Sequence, residues 1–549
     1  MKKDFRQLDI FGPKPRVPSP LQRAIFDDIK HGEGHTAVIA RAGSGKTTTI
    51  VDGLAYVPRG KSVAFFAFAN ATVDALASRA PEGVKVSTLH KHGVRTLGFH
   101  LGDFKILRDK TKILARQTFG PEIDLDPVRS YYDSLCDLLS RAKDTMKPAA
   151  AEPLDELLDR FGIDAPPDEV LHPTKCLRCR EVIDPKRRKA RCPSTGAHEF
   201  PAVEECVLQP DGTIDETTTP RRVFLAAAVR LLKLSESRLD LIDFGDMCWL
   251  PPRRKLYPPH QFDRVFVDEV QDLSPSQINF LTMTCKRGGR ICVIGDPAQA
   301  IYAFRGADPQ TMARLATFLS ARELPLSVSY RCSRAVVKLA RTLVPDIDAA
   351  EGNPEGRVVR TNEADLIANG MPGDFVISRA NAPLLRLCIR FLRAGKAARV
   401  KGSDEFEQLR TFLEKFGIDD AAALRTALGD WIASERARLA RRERSMDRVQ
   451  DRYDLAVVVL SGHRTLAAAL RAVAPAFVSD KAVEEGTLAP AVILATTHKL
   501  KGLESDRVWV LEETFRKDRG GEESNCWYVS VTRARDTVFL VGEQDEDDE

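Results

Sequence analysis

The chain has 549 residues, 43% of them hydrophobic and 29% charged, which is typical of a soluble globular protein of about three to four domains. Its 82 Lys and Arg against 78 Asp and Glu give a net charge of +4, which excludes a polybasic chromatin-like protein but not a local nucleic-acid-binding surface. No run approaches the ~20 apolar residues of a membrane span, and the N-terminus lacks the apolar core of a signal peptide. We therefore expect no membrane association and a cytoplasmic location, where the eleven Cys remain thiols or bind metal.

Short apolar runs that alternate with helical segments predict two sheets. The first group comprises HTAVIA, SVAFFAFA, VKVSTLH, DRVFVDEV, RICVIGD and LPLSVS, and the second comprises DFVISR, AVILATTH, RVWVLEE and DTVFLVGE. Uninterrupted runs of this length are typical of strands that helices cover on both faces. We predict an α/β fold with one sheet before about residue 325 and one after it.

Two segments interrupt these sheets and predict accessory insertions. The first is helical and then rich in Pro, Cys and basic residues, whereas the second is mostly helical. The expected ranges are 1–100 and 241–325 for the first domain, 101–240 for its insertion with a Cys-rich basic segment at about 174–206, 326–402 and 487–549 for the second domain with an acidic tail, and 403–486 for its reduced helical insertion.

The strand HTAVIA leads into ARAGSGKT, a P-loop of the form [AG]-x4-G-K-[ST]. Gly43 and Gly45 allow backbone N–H groups to turn toward phosphate oxygens. Lys46 supplies a positive charge to the β- and γ-phosphates, and Thr47 offers a hydroxyl to Mg²⁺. The alternative is a chance Gly-rich turn, which the strand before and the helix after disfavour. The predicted nucleotide-binding residues are Ala42, Gly43, Ser44, Gly45, Lys46, Thr47 and Thr48.

Polar residues also follow two later strands, where ligands collect in open α/β sheets. After DRVFV, Asp268 is predicted to hold Mg²⁺ and Glu269 to orient and deprotonate the attacking water, although two acids there could also cap a helix. After ICVIGD, Gln299 is placed to sense the γ-phosphate and to connect it to Tyr302 and Phe304. These two aromatic residues can stack on bases, or belong to the core.

Two arginines after the first sheet are candidate arginine fingers. Arg331 follows LPLSVS, and Arg533 lies in YVSVTRAR, which is predicted to be helical. Supplied from a second domain, they would stabilise charge on the transferred phosphoryl group and make hydrolysis depend on closure of the cleft. The alternative for each is a surface ion pair.

A Cys cluster in the first insertion predicts a structural zinc site. Cys176 and Cys179 have Cys-x2-Cys spacing, and Cys192 follows after twelve intervening residues. His198 or Cys206 would complete a tetrahedral Zn²⁺ site on a basic segment that suits DNA phosphates. Free thiols, or a ribbon that has lost its metal, are the alternatives.

Taken together, the motifs resemble superfamily 1 DNA helicases of the UvrD/Rep type, with some wording closest to the F-box DNA helicase branch. In chain order they are PSPLQRAI, ARAGSGKT, AFANATVDAL, STLHKHG, LIDFGDM, DEVQD, GDPAQAIYAFRGA, SYRC, ISRANAP, TTHKLKGLESDRV and EESNCWYVSVTRAR. The resemblance implies two RecA-like domains that bind ATP and Mg²⁺ between them and move 3′ to 5′ along single-stranded DNA. One departure is Arg41 in the P-loop, which we expect to reach the nucleotide or DNA.

The resemblance also implies roles for single residues. Gln22 would bind adenine, Tyr330 would stack on it, and Glu504 would touch the ribose or link nucleotide to DNA. His90 and His498 could instead be buried structural histidines. The residues expected along the strand path are Phe68, Asn70, Thr88, His90, Tyr302, Phe304, Thr496 and His498.

The leading hypothesis is an ATP-dependent DNA helicase or translocase that acts on single-stranded DNA and DNA junctions, in the cytoplasm of a bacterial or phage-infected cell. One alternative is a translocase that displaces proteins without productive unwinding. Another is a P-loop switch that binds nucleic acid without being a motor. An RNA substrate also stays open.

Overall fold

The computed structural model describes residues 17–68, 70–119, 131–163, 165–166, 168, 219–302, 310–440, 447–479, 482–483, 489–516 and 521–542. Phe304 and the predicted zinc ligands Cys176, Cys179, Cys192, His198 and Cys206 lie outside these ranges. The zinc site stays a prediction, and the described residues contain no group of three or more His, Cys, Asp or Glu placed to hold a metal ion. Within the same ranges, no helix has the length and apolar character needed to cross a bilayer.

The first sheet begins with the N-terminal elements of the chain. They are α1 (Pro20–His31), β1 (Thr36–Ala40), α2 (Lys46–Gly53), β2 (Val63–Phe66), α3 (Asn70–Ala77), β3 (Val84–Ser87) and α4 (Leu89–Leu101). A capping box starts α1, because the Ser19 hydroxyl accepts the Gln22 N–H and the Gln22 side chain accepts the Ser19 N–H. The capping box holds the Gln22 side chain in the first turn of α1, the helix that precedes β1.

The first insertion has a helical core of its own. Its elements are β4 (Lys105–Ile106), α5 (Lys110–Phe119), α6 (Tyr132–Asp144), α7 (Ala151–Phe161), α8 (Pro220–Ser237) and β5 (Leu241–Ile242). Leu135 and Leu139 of α6 and Leu154 and Leu158 of α7 share a buried cluster with Phe224 of α8. Because β4 pairs with β5, the insertion begins and ends at one place.

The chain then returns to complete the first sheet, with α9 (Asp246–Arg254), β6 (Phe262–Val267), α10 (Pro275–Thr284), β7 (Cys285–Gly295), α11 (Thr311–Leu319) and β8 (Arg322–Leu326). The strands are parallel in the order β3-β2-β6-β7-β1-β8. Phe65 packs with Val38 on one face, and Phe66 packs with Val265 on the other. We call this sheet with its helices the first lobe.

The run LPLSVS does not form a single strand. β8 ends at Leu326, whereas β9 (Val328–Ser329) pairs with β10 (Asp348–Ala349) in a separate small sheet. Helix α12 (Arg334–Arg341) lies between these two strands in the chain. Tyr330 and Arg331 therefore directly follow the point where the chain leaves the first sheet.

Together with β9, β10 and α12, whose Val336 shares a buried cluster with Val538, the remaining elements build the second lobe around a second sheet. They are β11 (Arg357–Thr361), α13 (Glu363–Asn369), β12 (Phe375–Ser378), α14 (Ala382–Arg393), β13 (Ala398–Lys401), α15 (Ser403–Glu414), α16 (Ala421–Ala440), α17 (Asp447–Leu460), α18 (Leu466–Val473), β14 (Phe477–Val478), β15 (Val492–Thr496), α19 (Thr497–Leu500), β16 (Ser505–Leu511), α20 (Glu522–Val531) and β17 (Ala534–Val541). The strands are parallel in the order β11-β17-β16-β12-β15-β13-β14. The predicted α/β fold with two sheets is confirmed.

Helices α15 to α18 share one core with the second sheet. Leu413, Leu424 and Val459 belong to the same buried cluster as Leu384 and Trp509. The second insertion is therefore a helical layer on the second lobe, whereas the first insertion encloses a cluster of its own.

Candidate nucleotide and single-strand site

The P-loop between β1 and α2 turns through two left-handed glycines. Gly43 has φ of +72° and Gly45 has φ of +77°, a region that other residues rarely adopt. A Cβ atom on Gly43 would lie 2.5 Å from Ser329 Oγ and 2.6 Å from Arg331 Cβ. Glycine is required at position 43 both for the turn and for the close approach of the segment that carries Arg331.

Ser44 lies at the centre of this loop and is fully buried. Its Oγ has no hydrogen-bond partner among the described residues. Backbone N–H groups of such a loop and of the following helix N-terminus attract anions. A buried hydroxyl with unused hydrogen-bonding capacity beside them fits a phosphate group.

Two carboxylates at the end of β6 face the P-loop. Thr47 Oγ1 donates to Asp268 Oδ2 at 2.6 Å, and Lys46 Nζ lies 3.1 Å from Glu269 Oε1. Burial and the neighbouring Glu269 charge raise the pKa of Asp268. Burial opposes ionisation of Glu269 as well, but the charges of Lys46 and Lys501 outweigh it and hold the pKa of Glu269 below its usual value. The hydroxyl and carboxylate oxygens are ligands that Mg²⁺ prefers, so this donor set fits a magnesium nucleotide.

The second lobe reaches across to the same place through Arg533 and Lys501. Arg533 is 2% exposed and donates from Nη2 to Gln299 Oε1 at 3.4 Å. Gln299 in turn donates to Asp296 Oδ2 at 2.7 Å. Lys501 Nζ contacts the Gln299 carbonyl at 2.7 Å and Asp272 Oδ2 at 2.5 Å. Gln299 is thus held by cations that belong to the other lobe.

Burial, followed by repulsion from Arg331, lowers the pKa of Arg533 to about 10. Arg533 therefore remains a cation at neutral pH. Its Nε donates to the Val529 carbonyl at 3.0 Å, which holds the guanidinium on α20. A charged, anchored donor in a buried position can stabilise negative charge that develops on a phosphoryl group.

Arg331 and Tyr330 border the P-loop from the second lobe. The Tyr330 N–H donates to the Gly43 carbonyl at 2.9 Å, and the Tyr330 side chain is 48% exposed, so its ring is open to a ligand. Arg331 forms an ion pair with Glu504. Gln22 donates from Nε2 to Thr49 Oγ1 at 3.0 Å. Because Gln22 Oε1 accepts the Ser19 N–H, both the oxygen and the nitrogen of the Gln22 side-chain amide are hydrogen-bonded.

Three aromatic side chains, Phe68, Tyr302 and His498, lie close to Lys501, which also contacts Gln299. The rings of Phe68 and Tyr302 are nearly parallel, 16° apart, with centroids 6.3 Å apart, and His498 lies 6.0 Å from Tyr302. His498 Nε2 contacts the Ile301 carbonyl at 2.9 Å. Lys501 lies over the Tyr302 ring at 5.0 Å. Three of the residues expected along the strand path therefore lie together, next to the cation that contacts Gln299.

The sequence model of the UvrD/REP helicase N-terminal domain matches residues 21–319 of the chain. The chain belongs to this family. The matched segment includes the P-loop, both carboxylates and Gln299, so the resemblance to UvrD/Rep-type helicases is confirmed.

Individual relatives of this UvrD/REP family member match different lengths of the chain. DNA helicase II of Escherichia coli (strain K12) is 26% identical over 186 residues, which is 30% of this chain and 25% of that protein. The ATP-dependent DNA helicase PcrA of Staphylococcus aureus (strain Mu50 / ATCC 700699) is 23% identical over 341 residues, 60% of this chain and 40% of PcrA. The RecBCD enzyme subunit RecB of Mycobacterium tuberculosis (strain CDC 1551 / Oshkosh) is 42% identical over 82 residues, 15% of this chain and 7% of RecB. The chain thus spans less than half the length of these relatives.

A second aromatic contact in this family member lies at the start of α4. His90 stacks on Phe244 with ring centroids 3.8 Å apart and an angle of 18°. Burial lowers the pKa of His90 to about 4, so its ring is neutral near pH 7. Phe244 is 64% exposed. Sequence reasoning noted LIDFGDM but missed Phe244 itself, because an apolar residue beside LI is more easily assigned to the core.

The loop that presents Phe244 is held by buried charges. The Asp243 N–H donates to Asp246 Oδ2 at 3.1 Å, and the Asp246 N–H donates to Asp243 Oδ1 at 2.9 Å. Lys143 of α6 and Lys110 of α5 both reach Asp246, at 2.8 Å and 2.7 Å. The first insertion of this UvrD/REP protein thereby fixes the loop that carries an exposed aromatic side chain.

Other residues expected on the strand path have structural contacts. Thr88 caps α4 by accepting the Lys91 N–H at 3.2 Å and is 5% exposed. Thr496 ends β15 and is 8% exposed. Asn70 is the first residue of α3, and its side chain is not described. Phe304 lies outside the described residues.

Proposed function

We propose that the chain is an ATP-dependent DNA helicase or single-stranded DNA translocase that moves 3′ to 5′. The observation that carries this proposal is the 3.4 Å contact between Arg533 of the second lobe and Gln299 of the first. An arginine held by one lobe at the catalytic face of a P-loop on another is the arrangement of an arginine finger. The names DNA helicase II and ATP-dependent DNA helicase PcrA support ATP and DNA as the substrates.

In the proposed reaction, ATP binds to the P-loop from Ala42 to Thr48, with adenine near Gln22 and Tyr330 and the ribose near Glu504. Lys46 exchanges its contact with Glu269 for phosphate oxygens. Mg²⁺ held by Thr47 and Asp268 would neutralise charge on the β- and γ-phosphates.

Hydrolysis follows from the groups around the γ-phosphate. Glu269 accepts a proton from water as the water oxygen bonds to the γ-phosphorus. The bond from the γ-phosphorus to the bridging oxygen breaks, which releases ADP and phosphate. Arg331 and Arg533 stabilise the charge on the transferred group, and Gln299 senses its presence.

Movement requires that the closed and open clefts bind DNA differently. Lys501 contacts both the Gln299 carbonyl and the Tyr302 ring. A shift of Gln299 on binding or loss of the γ-phosphate would therefore displace Lys501 and, with it, the aromatic group of Phe68, Tyr302 and His498. Aromatic rings stack on bases and contribute about 1–3 kcal/mol each. Phe68 and Tyr302 pack against hydrophobic cores but are only partly buried. We propose that these rings and Phe244 hold single-stranded DNA, including the single-stranded arm of a junction.

A second candidate is a translocase that displaces proteins without productive unwinding. It is favoured by the second insertion, whose helices α15 to α18 share the core of the second lobe and form a layer on it. Such a layer offers less independent surface for gripping a duplex than a separate domain would.

The test is ATP turnover with and without single-stranded DNA, followed by unwinding of 3′-tailed and 5′-tailed duplexes. We expect DNA to stimulate turnover and only the 3′-tailed duplex to be separated. Lys46→Ala is the matched control and should lose turnover while it retains DNA binding. Turnover without unwinding, together with release of a streptavidin block from 3′-biotinylated or 5′-biotinylated DNA, would favour the second candidate. Absence of nucleotide turnover would reject both, and RNA oligonucleotides in the same assay decide the nucleic acid.

A further inference from the structure

Three consecutive residues at the start of the P-loop are bonded to the second lobe. Arg41 forms a fork with Asp346, with Nε and Nη2 each 2.8 Å from a carboxylate oxygen. The Ala42 N–H donates to Tyr528 Oη at 3.0 Å, and the Gly43 carbonyl accepts the Tyr330 N–H at 2.9 Å. Because the last two use the backbone of the P-loop, Arg41 alone depends on a particular P-loop side chain.

The Arg41 guanidinium contacts two carboxylates and one backbone carbonyl. Its side chain is 13% exposed, and besides Asp346 it contacts the Ala40 carbonyl at 3.0 Å and Asp296 Oδ1 at 3.4 Å. Arg41 therefore contacts one carboxylate of each lobe, and its expected contact with nucleotide or DNA stays a prediction. Asp296 also accepts from Gln299, so Arg41 contacts the carboxylate that orients this residue.

Asp346 is coupled to the segment of Arg331 through the small sheet. It lies two residues before β10, which pairs with β9 immediately ahead of Tyr330. The Ala350 N–H donates to the Ser329 carbonyl at 3.0 Å, and Asn353 Nδ2 donates to the Ser329 and Cys332 carbonyls at 2.7 Å each. Hydrogen bonds therefore connect the segment that follows Asp346 to the residues on both sides of Arg331.

We infer that Arg41 and Asp346 are a positioning pair that holds the P-loop against the Arg331 segment and so favours the closed cleft. This inference rests on the proposed hydrolysis of ATP between the lobes. A two-pronged Arg–carboxylate contact fixes orientation as well as distance, which a single contact does not. The pair acts through Arg331 and the P-loop, and neither partner touches the reacting atoms.

Asp346→Asn is the sharpest variant. It removes the charge from a side chain that is 56% exposed, so no buried charge is left without a partner, and Arg41 keeps Asp296. We expect the KM for ATP to rise about threefold to tenfold while kcat at saturating ATP changes less than about twofold. Asp346→Glu should restore part of the lost affinity, and Arg41→Lys should give an intermediate KM because it retains charge but not the fork.

The matched control is Asp240→Asn. Arg238 and Asp240 form the same fork, with both contacts at 2.8 Å, but on the first insertion and within one short segment. This variant should leave the KM for ATP unchanged. An equal rise in both variants, or an unchanged KM in Asp346→Asn while the wild-type protein hydrolyses ATP, would overturn the positioning pair.

A second readout is independent of turnover. In nucleotide-free, full-length protein, hydrogen exchange of peptides that contain the Tyr330 amide should be faster in Asp346→Asn than in wild type and unchanged in Asp240→Asn. Unchanged exchange at Tyr330 in Asp346→Asn would reject the pair even if ATP hydrolysis is established. If the wild-type protein failed to hydrolyse ATP, the proposed function would fall, and the exchange comparison would still decide whether Arg41 and Asp346 join the lobes.

Discussion

The Nη2 atom of Arg533 lies 3.4 Å from Oε1 of Gln299, although 234 positions separate the two residues in the chain. Gln299 follows the strand that lies beside the P-loop strand, whereas Arg533 precedes the last strand of the second sheet. Their contact assembles one cleft from both lobes. Residues from either lobe should therefore affect the same chemical step.

Replacement of Glu269 by Gln should separate nucleotide binding from turnover. Gln has nearly the same shape but cannot accept the proton of the attacking water. We expect turnover to fall about 10²- to 10⁴-fold, while ATP affinity stays within a few fold of wild type because Lys46 and the P-loop are unchanged. Fluorescent-nucleotide titration and steady-state turnover measure the two quantities. A kcat close to wild type would remove Glu269 as the base.

Arg533→Lys should reduce kcat far more than it raises KM. The guanidinium of Arg533 contacts the Val529 and Leu503 carbonyls as well as Gln299, and a single ammonium cannot span all three. An arginine finger contributes about 10³- to 10⁵-fold, so a loss of at least about 100-fold is expected. Arg360→Lys is the control, because Arg360 is 73% exposed, pairs with Glu512 and lies on β11, the strand beside β17. Equal losses in both variants would indicate a general effect on the second sheet.

Local pattern was enough to predict most of the sheet strands. The residues Val265 to Val267 form an unbroken apolar run, and they lie in the middle of a parallel sheet with side chains in clusters on both faces. The glycines of the P-loop could be identified because positive φ leaves few other choices. Such features depend on neighbours in the chain, which a sequence displays directly.

Contacts between distant segments could not be predicted in the same way. The pairs Arg41–Asp346 and Lys501–Asp272 join charged residues whose partners are set by how the lobes meet. The division of LPLSVS between two sheets was also missed, because the apolar pattern continues while the pairing partner changes. Phe244 illustrates a third limit, since periodicity does not reveal which apolar residue faces solvent.

Phe244→Ala should weaken binding of single-stranded DNA without changing DNA-independent ATP turnover. If the exposed ring stacks on a base, its loss should raise the Kd for an oligonucleotide about fivefold to 100-fold. Phe318→Ala is the matched control, because Phe318 is 68% exposed on α11 of the same lobe. Fluorescence anisotropy with labelled oligo-dT at fixed salt measures the effect. A similar Kd for both variants would exclude Phe244 from the strand path.

The buried His92 predicts acid sensitivity of the first lobe. Its ring packs among Phe66, Phe262 and Phe280, and its Nε2 has no hydrogen-bond partner among the described residues. Burial, followed by repulsion from Arg95, Lys85 and His260, lowers the pKa of His92 from 6.5 to about 4. Between these values the unfolded chain binds more protons than the folded one, so stability is lost as the pH falls.

His92→Leu should therefore reduce the loss of folding stability that occurs as the pH falls. With one pKa unit equal to about 1.4 kcal/mol, the wild-type ring destabilises the fold by about 2 kcal/mol at pH 5 relative to pH 8. Leu removes this titration and keeps an apolar filling among the three phenyl rings, so the variant should lose less thermal stability than wild type over the same interval. Scanning fluorimetry in buffers of constant ionic strength at pH 5, 6, 7 and 8 measures the difference. Parallel curves for the two proteins would show that protonation of His92 does not limit stability in acid.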